Sequence, residues 1–439
     1  MVQPSDSARQ LSVSEVRPAS KGQDKAPSSS LRAAYVNGKY EAVVRRARKR
    51  LRDTLQAGES VRLHTLLGRA EQALGRHKKA IRTLREARAT AFAAGQSVVH
   101  LDRALGESYA ALYRWSQAAL AFQRVLEAQP TNRASRQALA EVYRHSQHWK
   151  EAKRQYTWLV RRDSSNGRWW ARLAKCEIEL GKVGQAISHF ATAHRLLPQS
   201  VEVALTLSRF YRNTMRPGAA RRVIDTTLAH RPGDSRLWRR RADLAYEQED
   251  LKIARRAYNR AIARGDSSAT VYRRIGLIDV KRQQHARALS SLRTSYRRDS
   301  THSRTTLYLG IAYLKVDSLQ RATTYLQRTI KLEAQGPITE AFIQQGAVND
   351  RRGNVSAAVR AYRTALRLRP DRTSVYFRLA TVYDEYYREK ATAARYYRRF
   401  LRTSDSTREQ LRTYAKDRLE TLRTTLHMQE GIPQSDSAP

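Results

Sequence analysis

Eleven alanines set the frame of this chain. Ala42, Ala80, Ala118, Ala152, Ala186, Ala220, Ala254, Ala288, Ala322, Ala358 and Ala393 are separated by 38 and 38 residues, then six steps of 34, then 36 and 35. Four residues beyond each, one helical turn further on the same face, stands a large apolar side chain: Leu84, Phe122, Tyr156, Phe190, Ile224, Tyr258, Leu292, Leu326, Tyr362 and Tyr397. Only the first step departs, with Arg46 after Ala42. A small residue followed one turn later by a large one lets two helices approach closely and then interlock. A period of 34 residues is the length of a helix–turn–helix unit, and one such unit cannot bury its apolar face alone.

The unit from Asn166 to Ser200 displays the parts. Trp170, Leu173, Ala174 and Leu180 share one face of a first helix. Gly181 marks the turn, since glycine accepts the left-handed backbone that ends a helix. Ala186, Phe190 and Ala193 share one face of a second helix, which Pro198 stops. The first helices of the other units keep the register. Leu67-Gly68, Leu105-Gly106, Ile275-Gly276 and Leu309-Gly310 put a small residue at the helix crossing, as do Leu139-Ala140, Leu173-Ala174, Leu207-Ser208 and Leu379-Ala380. Tyr109, Tyr143, Tyr211, Tyr313 and Tyr383 follow three residues later; Trp170, Trp238, Tyr272, Phe342 and Tyr376 hold an early aromatic position; Pro130, Pro198, Pro232 and Pro370 close units. With 11 prolines and 19 glycines in 439 residues, there is little material for the turns of a sandwich or barrel.

These small residues, aromatics and closing prolines, at these offsets, resemble the tetratricopeptide repeat family. The resemblance covers residues 31–405, some ten or eleven units, and is strongest from Leu105 onward. The first unit is degenerate, and the second is followed by an insertion around Ala89 to Val98. The resemblance implies an all-α, right-handed superhelical solenoid of antiparallel helix pairs with a concave groove. It implies protein or peptide binding, with catalysis rare.

A terminal repeat needs a polar cap. Residues 406–428 fit one helix, with Leu411, Tyr414, Leu419 and Leu422 on a single stripe, and the ending DEYYREKATAARYYRRFL resembles that of many bacterial members of the family. Residues 1–30 and 429–439 are polar and poor in large apolar residues, so they are expected to be disordered.

The net charge of +43 comes from 83 lysines and arginines against 40 acids, and 67 of the bases are arginine. Such an excess favours acidic partners or nucleic acid. Its spread along the whole chain equally fits a compositional bias. The lone cysteine, Cys176, lies in a helical pattern and is expected to be a buried, unreactive thiol. No apolar run approaches the ~18 residues of a membrane span. The N-terminus lacks the basic-then-apolar pattern of a signal peptide. A cytoplasmic location is therefore expected, or a periplasmic one for a processed chain.

No phosphate-cradling loop or nucleophile elbow occurs, so no enzyme and no cofactor is expected. His145 and His148 lie near Trp149 with no cysteine or carboxylate cluster beside them, which argues against a metal site. Asp384 and Glu385 are adjacent and point to different helix faces, so they form no acid–base pair.

Family resemblance places groove residues on the first helices. Carried onto this chain, they are Arg144, Lys175, Arg209, Arg212, Arg236 and Arg239, interrupted by Glu141, Glu179 and Glu202, followed by Leu277, Val280, Leu307, Ile311, Leu314 and Ile343. A groove basic in the middle and apolar towards the C-terminal half would hold a protein or peptide with acidic and apolar anchors. Packing of these leucines against neighbouring units or a sister chain is the other reading. The lysine–asparagine pair of carboxylate-clamp members is not found. Arg168 joins Lys175 on the groove side of the Asn166–Ser200 unit. Arg221-Arg222, Arg255-Arg256, Arg297-Arg298 and Arg398-Arg399 fall on the opposite, convex side, where nucleic acid or another polyanion is the rival partner.

Overall fold

The computed structural model describes residues 27–332, 335–387, 389–405 and 408–430. Among the described residues all regular structure is helical, in eleven consecutive pairs followed by one last helix. The chain divides into two compact units, Met1–Leu197 and Pro198–Pro439.

The first unit holds five pairs: α1 (Pro27–Val36) and α2 (Tyr40–Arg50), α3 (Ala57–Ala73) and α4 (His77–Ala93), α5 (Val99–Ala111) and α6 (Trp115–Ala128), α7 (Arg133–His145) and α8 (Trp149–Arg162), α9 (Gly167–Glu179) and α10 (Val183–Leu196). The second holds six: α11 (Val201–Asn213) and α12 (Pro217–His230), α13 (Ser235–Glu247) and α14 (Leu251–Ala263), α15 (Ala269–Lys281) and α16 (His285–Arg298), α17 (Ser303–Lys315) and α18 (Leu319–Lys331), α19 (Gln335–Arg351) and α20 (Val355–Leu368), α21 (Thr373–Glu385) and α22 (Lys390–Thr403). Helix α23 (Glu409–Glu430) packs on α22 with Ala415, Leu419 and Leu422 buried, and so covers the last apolar face. Helix α1 begins at Pro27, within the stretch expected to be disordered; residues 1–26 and 431–439 lie outside the described residues.

Within each unit, a first helix packs on its own second helix and on the second helix of the preceding pair. First helices of successive pairs also touch one another, as α3 does α5 and α15 does α17. They form one row and the second helices another, here called the A and B rows.

The ladder is the core. From Ala80 onward every rung alanine is fully buried, and so is every large partner one turn later. Where the small residue of the A helix is glycine, it faces that partner. A Cβ built at Gly276 would fall 2.5 Å from Leu292 Cγ, and one at Gly310 would fall 2.6 Å from Leu326 Cγ. Glycine there is a packing requirement, because protein interiors have no slack for a methyl group at that distance.

The first pair corrects the register. Ala42 is only half-buried; Val43 and Ala47 are fully buried and take the two rung positions. The order of large and small is reversed in this pair, so an alanine search lands one residue early. The turns confirm the shift. Gly38, Gly75, Tyr113, Gln147, Gly181, Met215, Glu249, Gln283, Asp317 and Gly353 all have left-handed backbone, with φ between 56° and 73°, and each stands five residues before its true rung. The insertion after the second pair is an extra turn of α4, which runs to Ala93, and a loop through Gly95 at φ 67°.

The early aromatics fasten the A helices to the preceding turns. Trp170 Nε1 donates to the Ser164 carbonyl at 2.9 Å, Trp238 Nε1 to Pro232 at 2.9 Å, and Tyr376 Oη to Pro370 at 3.0 Å. Each donor reaches six residues back, satisfying a carbonyl beyond the end of the previous B helix.

Candidate functional site: the A-helix face

In the first unit the basic residues of the A row are tied into the fold. Glu141 is a hub. It accepts from Tyr156 Oη at 2.7 Å and from Arg144 Nε at 2.8 Å, and Arg172 Nε lies 3.2 Å away. Burial pushes the Glu141 carboxyl up, but Arg172, Tyr156 and Arg144 outweigh it and hold the group below the usual carboxylate range. Arg144 is thus partnered and half-buried. Lys175 is half-buried, and Arg168 is exposed. Cys176, fully buried, has its thiol pushed up to about 12 by burial. His145 stacks on Trp115, with ring centroids 5.4 Å apart. Among the described residues no group of three or more His, Cys, Asp or Glu is placed to hold a metal ion.

In the second unit, Arg236 is a capping residue. Asp234 accepts from the Arg236 amide at 2.9 Å at the start of α13, and the Arg236 guanidinium grips the same carboxylate through two bonds of 3.1 and 2.7 Å. Arg212 lies 3.5 Å from Glu247, and Arg239 lies 3.4 Å from Asp266. Arg209 is exposed and sits over the Phe210 ring.

The residues that complete this basic face are ones the groove offsets did not single out. Arg240 is half-buried, its Nε is fully buried with no hydrogen-bond partner, and among the described residues no carboxylate lies within ion-pair distance of it. Burial lowers its pKa; Asp243 and Glu247 oppose this, while Arg212 and Arg209 add to it. Arg273 on α15 is also half-buried and crowded by arginines. Burial lowers its pKa, Arg274 and Arg304 lower it further, and Asp299 works against them. The Arg274 guanidinium lies 4.9 Å and the Lys281 ammonium 5.2 Å from the Tyr246 ring centroid. Arg273 directly follows Tyr272, at the offset that selected Arg239 after Trp238, so sequence alone carried the signal for it.

The apolar half differs from an open patch. Leu277, Leu307, Leu314 and Ile343 are buried to between 3% and 6% exposure. Leu277, Leu307 and Leu314 pack into one core with Leu292, Leu309 and Leu326, and Ile343 joins the core of the last pairs. These four are packing residues, because neighbouring A helices of the unit touch and close over them. Val280 and Ile311 remain half-buried at the edge of that core.

No helix of the described residues is long and apolar enough to cross a membrane.

Comparison with known proteins agrees with this construction. Two tetratricopeptide repeat models match, over residues 195–412 and 138–201. No curated protein matches. Among solved structures, Cut9 in the APC/C hetero-tetramer Cut9–Hcn1 is similar over 90% of this chain and 96% of that one, at 15% identity and a TM-score of 0.45. YrrB, a TPR protein with an unusual peptide-binding site, is similar over 42% of this chain and 95% of its own, at 15% identity and a TM-score of 0.39. MamA of Desulfovibrio magneticus RS-1 is similar over 39% and 96%, at 16% identity and a TM-score of 0.37. With two matching repeat models, eleven helix pairs and one shared register of rungs and turns, the chain belongs to the tetratricopeptide repeat family of protein-interaction scaffolds.

Proposed function

We propose that the A-helix face of the second unit captures an acidic segment of a protein partner, and that the chain acts as a non-enzymatic scaffold. The observation that carries this reading is the crowding of Arg240 and Arg273. Arg240 is half-buried beside Arg212 and Arg209 with its buried Nε unpartnered, and Arg273 is half-buried beside Arg274 and Arg304. Among the described residues neither forms an ion pair, and Asp243, Glu247 and Asp299 offset only part of the effect of burial. Like charges held together in a partly desolvated site raise the free energy of the unbound protein. A carboxylate from outside relieves that repulsion and, at Arg240, supplies the missing hydrogen-bond acceptor, in the short two-pronged geometry that arginine favours. Val280 and Ile311 are half-buried apolar side chains on the same row, and Tyr246 carries Arg274 and Lys281 against its ring.

A fluorescent 20-residue peptide of alternating Glu and Leu tests this by anisotropy against the full chain. Binding should fall at least about tenfold in the double variant Arg240→Glu/Arg273→Glu, since truncating one side of a desolvated charge pair costs about 2–5 kcal/mol. Binding should fall by a smaller factor in Ile311→Ser. Equal binding by the double variant, with helical circular dichroism unchanged, would remove the A-helix face from consideration.

A further inference from the structure

The B row of the second unit is charged in a different way. Helices α16, α18, α20 and α22 contain no aspartate or glutamate at all, and neither does α17 between the first two. Some B-row cations elsewhere are consumed by the fold: Arg48 pairs with buried Glu71, Lys153 with buried Glu177 and Arg255 with buried Asp279. Arg293, Arg321, Arg328, Arg360, Arg363 and Arg367 are exposed and form no ion pair among the described residues. No carboxylate of the described residues neutralises them within ion-pair distance, although Arg363 donates to Tyr383 Oη at 2.7 Å and Arg321 lies 5.7 Å from the Tyr313 ring centroid.

Two clefts on this row are built alike. In the first, of about 590 Å³, Tyr325 of α18 stacks on Tyr313 of α17 with centroids 5.5 Å apart and planes 6° apart, and Arg293, Arg321 and Arg328 line the rim. In the second, of about 620 Å³, Tyr396 of α22 stacks on Tyr383 of α21 at 5.6 Å and 19°, and Arg360, Arg363 and Arg367 line the rim. The correspondence is positional. Tyr325 and Tyr396 each stand three residues after a rung alanine, and Arg293 and Arg363 each stand five after the preceding rung. The inner tyrosines are buried, and the outer ones are half-buried and reach the cleft. Neither cleft is lined by a carboxylate.

We infer that this B-row face binds single-stranded nucleic acid, with phosphates on the arginine rims and bases against Tyr325 and Tyr396. The chemistry selects this occupant. A strand offers a regular series of anions together with planar π faces, and sequence-tolerant single-strand binding uses a basic track with aromatic platforms. A duplex would satisfy the arginines and leave the tyrosines idle, because its bases are hidden. An acidic peptide would do the same, since the clefts offer an aromatic wall and cations rather than an apolar anchor pocket. The inference is independent of the proposed A-face partner.

Fluorescein-labelled 20-nucleotide oligo(dT), titrated with the full chain, tests it. Binding should weaken steeply with added salt, as counterions are released from the strand. Arg293→Glu/Arg363→Glu should weaken binding at least about tenfold and flatten the salt slope. Tyr325→Leu/Tyr396→Leu should weaken it at least about fivefold, because base–aromatic stacking is sequence-tolerant and worth about 1–3 kcal/mol per base, while leaving the salt slope unchanged. Arg240→Glu/Arg273→Glu, on the other row, should have the smaller effect. Wild-type binding by the tyrosine variant, or equal competition by a 20-base-pair duplex, would overturn the inference in favour of simple polyanion attraction. Arg293→Lys/Arg363→Lys keeps the charge and should retain most of the binding. Loss as complete as that of the glutamate variant, with helical circular dichroism unchanged, would refute the assignment of phosphates to these arginines.

Discussion

Arg255, on the second helix of one pair, reaches into the next pair and closes on Asp279, Nε to Oδ1 at 2.7 Å and Nη2 to Oδ2 at 3.3 Å. Asp279 is fully buried, whereas the arginine side chain keeps 28% of its exposure. The asymmetry sets the prediction. Arg255→Ala strands a carboxylate in the core, and removing one partner of a buried pair costs about 3–5 kcal/mol. Asp279→Ala leaves an arginine that can turn outward, so it should cost distinctly less, about 1–2 kcal/mol. Urea midpoints of the two variants, with hydrogen exchange along α14 and α15, check the order. Equal losses would show that the pair acts through packing alone.

The turns carry a second prediction. Met215 holds φ at 56° and is 87% exposed, so its side chain gains little there while its backbone is strained. Left-handed backbone costs a non-glycine residue about 1–2 kcal/mol, and glycine adopts it freely. Met215→Gly should therefore raise the unfolding midpoint, by about 0.5–1 kcal/mol after the extra entropy of glycine in the unfolded chain. The mirror experiment, Gly181→Ala at φ 73°, should lower it. A Met215→Gly variant less stable than the parent would mean that the thioether makes a contact worth more than the strain.

The repeat register was legible in the sequence because burial in this architecture recurs at a fixed spacing, and Ala80 through Ala393 record it. Val43 and Ala47 escaped the pattern because small and large exchange places there. The cores around Leu277, Leu307, Leu314 and Ile343 escaped for another reason. An A-helix leucine looks the same whether it lines a wet groove or lies under the next A helix, and only the packing between pairs decides. The arginines divide in a similar way. Arg255 and Lys153 each stand 24 residues before the acid they neutralise, a spacing visible in the sequence only once the pairs are known to stack. Arg240 stands out only when its neighbours prove to be other arginines, whereas Arg273 holds an offset the sequence already marks.

Cys176 gives a chemical prediction. Its thiol is fully buried, and burial pushes it up to about 12, with Glu141 and Glu177 adding to the shift and Arg144 and Arg172 opposing it. An unfolded thiol ionises near about 8.5. The folded form is therefore favoured below that value by keeping the proton, and this contribution is lost as pH rises from about 8.5 towards the folded value. Iodoacetamide at pH 9 should label the native protein slowly and the urea-unfolded protein within minutes, because only the thiolate reacts. Rapid native labelling would show that α9 opens readily.

The last prediction concerns the crossing of α15 and α16. In an exposed helix, Gly276→Ala would stabilise by about 1 kcal/mol through propensity alone. Here the added methyl would meet Leu292 Cγ at 2.5 Å and Cδ2 at 2.6 Å. Leu292 is fully buried among Leu277, Leu309 and Leu326, so it has nowhere to withdraw without displacing the next pair. Overpacking of this kind costs about 1–3 kcal/mol and outweighs the propensity gain. Gly276→Ala should therefore lower the unfolding midpoint, and Gly276→Ala/Leu292→Val, which trims the opposing side chain, should recover part of the loss. A double variant less stable than the sum of the two single changes would show that the methyl and the leucine do not meet, and that glycine serves this crossing through its backbone instead.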